Sequence, residues 1–347
     1  MATTESPVAY DIPKTYKAIV YDNPGTISTK VEELKTPEPG PGEVLVRLTH
    51  SGVCHSDMGV MQCNWKALPY PTQKGQVGGH EGVGIVQKIG PGTDQNRVKL
   101  GDRVGIKHQK VSGYYYPGTF QQYALAPANY VTPIPDGLSS QDAAPLLCAG
   151  ITTYSALRKC GAQSGQWVVI AGAGGGLGHL ACQIGSRGMA YRILGIDHGS
   201  KEQLVKDCGA EAFLDVTKYG DEEIEKEVKR ITGGLGASAV IVCTGSNKAY
   251  AQAVNFLRFG GTLVCVGVPE GVLVAIATAF PGKIIGQELV IKGSATGNNR
   301  EAMEILEMAA RGIVKTHSRL EKMDKLTEVF QEMEEGKMQG RVVIDLE

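Results

Sequence analysis

One stretch constrains this chain more than any other. Gln166-Trp167-Val168-Val169-Ile170-Ala171 runs straight into Gly172-Ala173-Gly174-Gly175-Gly176-Leu177-Gly178. A continuous apolar run without alternation marks a strand buried on both faces, as in a parallel sheet. The glycines after it predict a tight turn where backbone can approach a ligand, and a helix-compatible segment follows. The strict spacing Gly-x-Gly-x-x-Gly fails, because Leu177 stands at its sixth position. The looser Gly-x-x-Gly-x-x-Gly fits at Gly172, Gly175 and Gly178. A glycine turn alone is a weak signal, and some α/β domains carry one without binding a nucleotide. Here the next apolar run, Tyr191-Arg192-Ile193-Leu194-Gly195-Ile196-Asp197, ends in an acid at about the distance expected for a ribose contact. A carboxylate there accepts hydrogen bonds from both ribose hydroxyls and repels a 2′-phosphate. The pattern therefore predicts a dinucleotide on the glycine turn, its pyrophosphate at the helix N-terminus, and NAD rather than NADP. His198 follows Asp197, but no arginine follows to reverse that choice.

The alternation continues beyond the turn. Residues 200–208 read as a helix stopped by Gly209, 212–216 as a strand, and 221–231 as a charged amphipathic helix. Further strands are expected at 239–243, 262–266 and 289–293. Strand and helix in turn mean a doubly wound parallel sheet. Residues 300–347 close with helices and a last strand at 341–345. The first 150 residues differ. Short runs such as Tyr16-Lys17-Ala18-Ile19-Val20-Tyr21 and Glu43-Val44-Leu45-Val46-Arg47-Leu48 lie between Gly, Pro and Asn turn signals. Gly82-Val83-Gly84-Ile85-Val86-Gln87-Lys88-Ile89 precedes another Gly-Pro-Gly. These indicate an antiparallel, barrel-like domain.

A net charge of −1 offers no electrostatic case for nucleic acid or an anionic membrane. No segment is apolar for long enough to span a bilayer, and residues 1–21 lack the apolar core of a signal peptide and the arginines of a mitochondrial presequence. Eight cysteines in 347 residues are not a disulfide framework. Both points predict a reducing, cytoplasmic location where free thiolates persist.

Three glycine-flanked stretches then stand out: Gly52-Val53-Cys54-His55-Ser56-Asp57, Gly78-Gly79-His80-Glu81-Gly82 and Leu147-Cys148-Ala149-Gly150. One imidazole and two thiolates would leave a fourth tetrahedral position open, as a catalytic zinc requires. These residues are far apart in the chain, so spacing alone does not unite them. Taken singly, a cysteine is more often a small buried hydrophobe. Cys63, Cys160, Cys182, Cys208, Cys243 and Cys265 are expected to be that, and His50 a residue at a strand end on the surface.

The strings Gly-Val-Cys-His-Ser-Asp, Gly-Gly-His-Glu-Gly, Gly-Thr-Phe-Gln-Gln-Tyr and Leu-Cys-Ala-Gly-Ile-Thr resemble those of the zinc-dependent, medium-chain alcohol dehydrogenases. The likeness is closest to the yeast and fungal tetrameric type and runs from about residue 14 to the C-terminus. It implies a Rossmann domain over 156–296 and a GroES-like β-barrel catalytic domain over 1–155 and 297–347. It implies zinc held by Cys54, His80 and Cys148, with Glu81 behind it as an occasional alternative ligand. Asp57 would orient His80, and Ser56 would take the alcohol proton. His55 and Arg341 would meet the pyrophosphate, beside Gly172, Gly174, Gly175, Gly176, Leu177 and Gly178. Val266 and Val268 would place the nicotinamide, and Trp65 would wall the substrate pocket. A small alcohol or carbonyl substrate and a homodimer or homotetramer, joined near residues 280–295, are expected with it.

Two departures accompany the resemblance. The lobe that carries four closely spaced cysteines in the family is missing after Ile106-Lys107, so one zinc per subunit is expected and no structural zinc. His108 falls where a pocket aromatic stands in the yeast type; as a metal ligand it is the weaker alternative. Gly59 stands where those relatives carry a histidine that passes the proton to solvent. Both departures fall on the substrate side and give weight to the first of two other readings; the complete ligand set and Ser56 speak against the second. The first is a zinc- and cofactor-retaining isomerase or lyase acting on a bulkier carbonyl. The second is a nucleotide-binding protein without catalysis.

Overall fold

The computed structural model describes residues 10–66, 68–272 and 274–347. The first nine positions of the first expected domain lie outside the described residues. The chain divides into two units. One comprises Met1–Leu147, Ser318–Lys337 and Val342–Glu347, and the other Cys148–His317 and Met338–Arg341.

The spine of the first unit is the strand Glu43–Val53. It pairs antiparallel with Glu81–Ile89, Tyr123–Pro127 and Arg341–Asp345. A seven-stranded sheet is built around it, with Arg103–Gly105, Thr132–Pro133 and Ser318–Lys322 completing the set. A second sheet joins Thr15–Tyr21 to Thr29–Lys35 and Gln76–Val77. The spine is longer than the run at 43–48, and Val44, Leu45 and Val46 are buried in succession. Two register shifts against Glu81–Ile89, at Leu45/Val46 and Leu48/His50, account for the broken alternation. An extra residue at a bulge turns the next side chain to the other face and bends the strand. His50 lies inside this strand and is half-buried, not at its end.

The second unit holds six parallel strands. Their order is Ala212–Asp215, Arg192–Asp197, Trp167–Ala171, Ala237–Val242, Leu257–Cys265 and Val290–Gly293. The chain order reverses between Trp167–Ala171 and Ala237–Val242, and a crevice at such a switch point is where ligands bind. Val168, Val169 and Ile170 are fully buried, as a two-faced strand requires. The helix Asp221–Ile231 shows why the flanking segments are helical. Asp221, Glu222 and Glu223 fill its first turn and Lys229 and Arg230 its last, matching the helix dipole. Ile224 and Val228, four apart, bury its apolar stripe.

The division falls at Leu147 and Ser318, where the sequence reading placed it at 155 and 297. The helices Ile151–Lys159 and Asn299–Ala310 both belong with the parallel sheet. Tyr154 and Arg158 on the first donate to Glu304 on the second, at 2.9 and 2.8 Å. Such pairing of segments 150 residues apart has no local signal. Among the cysteines, Cys160, Cys182 and Cys208 are buried, as expected. Cys63, Cys243 and Cys265 are only partly so, and Cys63 takes a left-handed φ of 58° in a turn, which a packed hydrophobe would not need.

Candidate active site

The spine strand ends at Val53, and the chain turns into the short helix His55–Met61. Cys54 caps it, and Asp57, at the third helical position, reaches back. Asp57 Oδ2 accepts from the Cys54 backbone N–H at 2.9 Å, and Asp57 Oδ1 from His80 Nδ1 at 2.8 Å. A carboxylate accepts only, so His80 carries its proton on Nδ1 and the lone pair on Nε2. Tyr21 fixes the other side of Asp57, donating to its carbonyl at 3.2 Å. Asp57 is 3% exposed, so one buried carboxylate positions two residues from separate segments, one just after the strand Glu43–Val53 and one just before Glu81–Ile89.

Glu81 begins the strand beside the spine and faces Gly52 across the ladder. A Cβ on Gly52 would overlap the Glu81 carboxylate, so the glycine leaves the space that the acid fills. Cys148 lies one residue past Leu147, in the π-helical turn Leu146–Gly150. Ligand atoms of Cys54, His80, Glu81 and Cys148 all lie within 4.8 Å of one another. Two thiols, an imidazole and a carboxylate at that spacing match the donor set of a tetrahedral zinc site with a labile position. Ser56 Oγ lies 3.6 Å from Cys54 Sγ, at the edge of this cluster. His55 is exposed at the start of the helix, and Gly59 is buried inside it.

The connection after Ile106 packs backbone on backbone against Gly78 and Gly79. A Cβ on Gly118 would overlap the Gly78 carbonyl, and one on Gly113 would sit 2.9 Å from the Gly79 N. Gly113 also has a φ of 80°. The segment just before His80 is therefore held by close glycine contacts with residues 113–118. His108 stacks on Tyr116 with ring centres 4.6 Å apart, and its Nδ1 pairs with Ser112 Oγ at 2.8 Å. Burial holds its imidazole below the usual range. It is not among the four clustered residues. Trp65 lines a cavity of about 280 Å³ with Val60, Cys63, Leu68 and Thr72, and its buried Nε1 has no hydrogen-bond partner among the described residues. His108 does not line that cavity.

In the second unit the glycine turn stands at the switch point. Gly172 has a φ of 80° and packs on Thr244, just past the end of Ala237–Val242. A Cβ on Gly178 would overlap the Gly172 carbonyl, and one on Gly174 would sit 2.6 Å from Lys201 Cβ. Asp197 Oδ2 accepts from the Gly174 N–H at 2.8 Å and Oδ1 from the His198 N–H at 2.7 Å. The turn and the acid are thus locked together. Arg341 is 5% exposed, and its Nη1 lies 3.0 Å from where a Cβ on Gly176 would be. Gly175, Gly176 and Leu177 complete the curve between Gly174 and the helix. Val266 and Val268 follow the strand Leu257–Cys265; Gly267 donates to Val242 at 2.9 Å, and the Val268 carbonyl packs on Gly245.

Three side chains at this site escaped the sequence reading. Lys201, four residues after Asp197, lies 3.5 Å from its Oδ1. Asp215 ends the neighbouring strand in register with Asp197 and packs on Gly199. His179 is fully buried behind the turn. Lys201 at i+4 was a readable signal; the other two depend on strand order and helix packing.

Known proteins agree with this architecture. The model of the alcohol dehydrogenase GroES-like domain matches residues 40–136, and that of the zinc-binding dehydrogenases matches residues 176–311. Alcohol dehydrogenase 2 of Emericella nidulans is 60% identical over 364 residues, covering 97% of this chain and 99% of that one. That alignment is longer than the 347 residues here, so the relative has positions with no counterpart in this chain. The alcohol dehydrogenase of Schizosaccharomyces pombe is 39% identical across 96% of this chain and 98% of its own length. Among solved structures, the alcohol dehydrogenase of the archaeon Aeropyrum pernix superposes with a TM-score of 0.84 at 26% identity, covering 95% and 99% of the two chains. Identity of this extent, along nearly the whole of both fungal relatives, decides the family: this chain belongs to the zinc-dependent, medium-chain alcohol dehydrogenases, oxidoreductases whose cofactors are zinc and NAD.

Proposed function

We propose that this alcohol dehydrogenase binds one zinc per subunit, through Cys54, His80 and Cys148, and uses NAD in preference to NADP. The observation that carries the reading is the cluster within 4.8 Å, together with the Asp57–His80 bond that sets the imidazole tautomer. When bound, zinc supplies Lewis-acid polarisation of the substrate oxygen and the nicotinamide accepts or returns hydride. Asp57 holds His80 and Cys54 in place. Ser56, beside Cys54, takes the proton of the alcohol in oxidation and returns it in reduction. Glu81, buried next to the thiols, serves as an occasional alternative ligand. Gly172 to Gly178 and Arg341 receive the pyrophosphate with His55, Asp197 receives the ribose, and Val266 and Val268 place the nicotinamide. Trp65 and His108 shape the substrate side.

The shortened connection at 107–118 supports a single zinc, since it is packed by glycine contacts. We read the enzyme as cytoplasmic; no helix among the described residues is long and apolar enough to cross a membrane. A homodimer or homotetramer is supported by the edge strand Val290–Gly293, which is exposed throughout, with Phe280 and Ile285 exposed beside it. An uncovered apolar edge invites pairing with a second copy. The test is metal analysis with a panel of primary, secondary and aromatic alcohols, followed by nicotinamide absorbance. One zinc per subunit and NAD reduction are expected. Two zincs per subunit would overturn the single site, and faster turnover with NADP than with NAD would overturn the cofactor preference.

A further inference from the structure

His179 is 0% exposed, one residue into the helix that follows the glycine turn. Its Nδ1 donates to the Gly175 carbonyl at 2.9 Å, and its Nε2 accepts from the His317 backbone N–H at 3.4 Å. The two bonds define one neutral tautomer, with the proton on Nδ1. Burial, then the charges of Arg341 and His317, press the imidazole down to about 3, so it stays neutral at any working pH. The chain of contacts continues. The His317 carbonyl accepts from the Arg341 N–H at 2.8 Å, and Gly340, at a φ of 63°, packs on that same carbonyl. The Arg341 side chain then lies over Gly176. The contacts form a closed ring: Gly175, His179, His317, Arg341, Gly176.

We propose that His179 is a positioning residue that sets the glycine turn and Arg341 in one geometry for the cofactor pyrophosphate. The inference rests on the cofactor reading above. Its physical basis is the planar peptide: a carbonyl held in one direction sends the next N–H in the opposite one. The His179 backbone N–H also donates to the Gly175 carbonyl, at 3.1 Å; the imidazole adds a second donor that fixes this carbonyl toward the helix, so the Gly176 N–H points the opposite way. Its other nitrogen holds the segment from which Arg341 is hung. His179 is not what fastens the helix itself. Gln183, one turn on, does that, exchanging two bonds of 2.9 Å with the Lys315 backbone.

The test uses the zinc-loaded enzyme with three probes: NADH, ADP and adenosine, the last lacking any phosphate. His179→Leu removes both bonds. It should weaken NADH and ADP about tenfold and leave adenosine within about twofold, given what two buried hydrogen bonds contribute. His179→Asn keeps a donor for Gly175 and loses the acceptor for His317, so it should weaken ADP about threefold. Unchanged ADP affinity in a folded Leu variant overturns the proposal. Equal weakening of adenosine and ADP also overturns it, because the role would be merely structural. If the Leu variant does not fold, the Asn variant decides by the same comparison. Wild-type enzyme that binds neither ADP nor NADH would instead overturn the cofactor reading on which this one stands.

Discussion

Replacing Asp57 by asparagine tests the metal site most directly. The two side chains have nearly the same shape, so packing is kept and only the hydrogen-bond pattern changes. Both carboxylate oxygens face donors: His80 Nδ1 at 2.8 Å and the Cys54 N–H at 2.9 Å. An amide offers one acceptor and one donor, so it satisfies only one of them. If its oxygen faces His80, its NH2 meets the Cys54 N–H, and buried donors are left opposed at a cost of about 1–3 kcal/mol. If its oxygen faces Cys54, the NH2 forces the proton of His80 onto Nε2, and the lone pair turns away from the metal. Either arrangement weakens zinc. Loss of such an outer hydrogen bond typically costs about 10–100-fold in metal affinity, or ~1.4–2.7 kcal/mol. The assay is competition for zinc against a chelator of known affinity, with thermal unfolding of the metal-free protein run beside it. We expect zinc affinity to fall by at least about tenfold and the metal-free variant to remain folded. A folded Asp57→Asn enzyme that holds zinc within about twofold of wild type would refute the reasoning.

Asp197→Ala should weaken NAD by about tenfold or more and narrow its advantage over NADP, since Lys201 remains beside the vacated position. Wild-type preference for NADP, measured as kcat/KM with each cofactor, would refute the assignment. Gly59→His should raise alcohol oxidation near neutral pH and add an inflection near the imidazole pKa of about 6.5, because an imidazole suits proton release there. Superimposable pH profiles from two folded proteins would show that proton transfer does not limit the rate. His179 supplies a stability signature as well. Its folded pKa of about 3 lies below the ordinary imidazole value of 6.5, so the unfolded chain takes up a proton that the folded chain refuses. The stability present above pH 6.5 is therefore lost as pH falls toward 3, with a limiting slope of ~1.4 kcal/mol per pH unit. Denaturant unfolding of His179→Leu and wild type in this window should show a shallower slope in the variant; parallel slopes would refute it.

Much of this enzyme is legible in its sequence, for local reasons. The run 166–171, the glycines after it and Asp197 specify a buried strand, a turn and an acid within 32 residues of chain. Each depends on neighbours a few residues away. The helix Asp221–Ile231 is equally local, since its charges and its apolar pair lie on its own surface. The strings around Cys54, His80 and Cys148 name the candidate ligands, but nothing local brings residues 54, 80 and 148 together. Tertiary structure decides that, by pairing Gly52 with Glu81 across a bulged ladder and by letting Asp57 span Cys54 and His80. The same holds for the limits of the two units, which depend on Ile151–Lys159 meeting Asn299–Ala310. It holds also for His179, which alone reads as one more helical residue. Only the fold puts its two nitrogens between the glycine turn and the segment that carries Arg341, because hydrogen bonds between distant segments exist only once packing has excluded water from them.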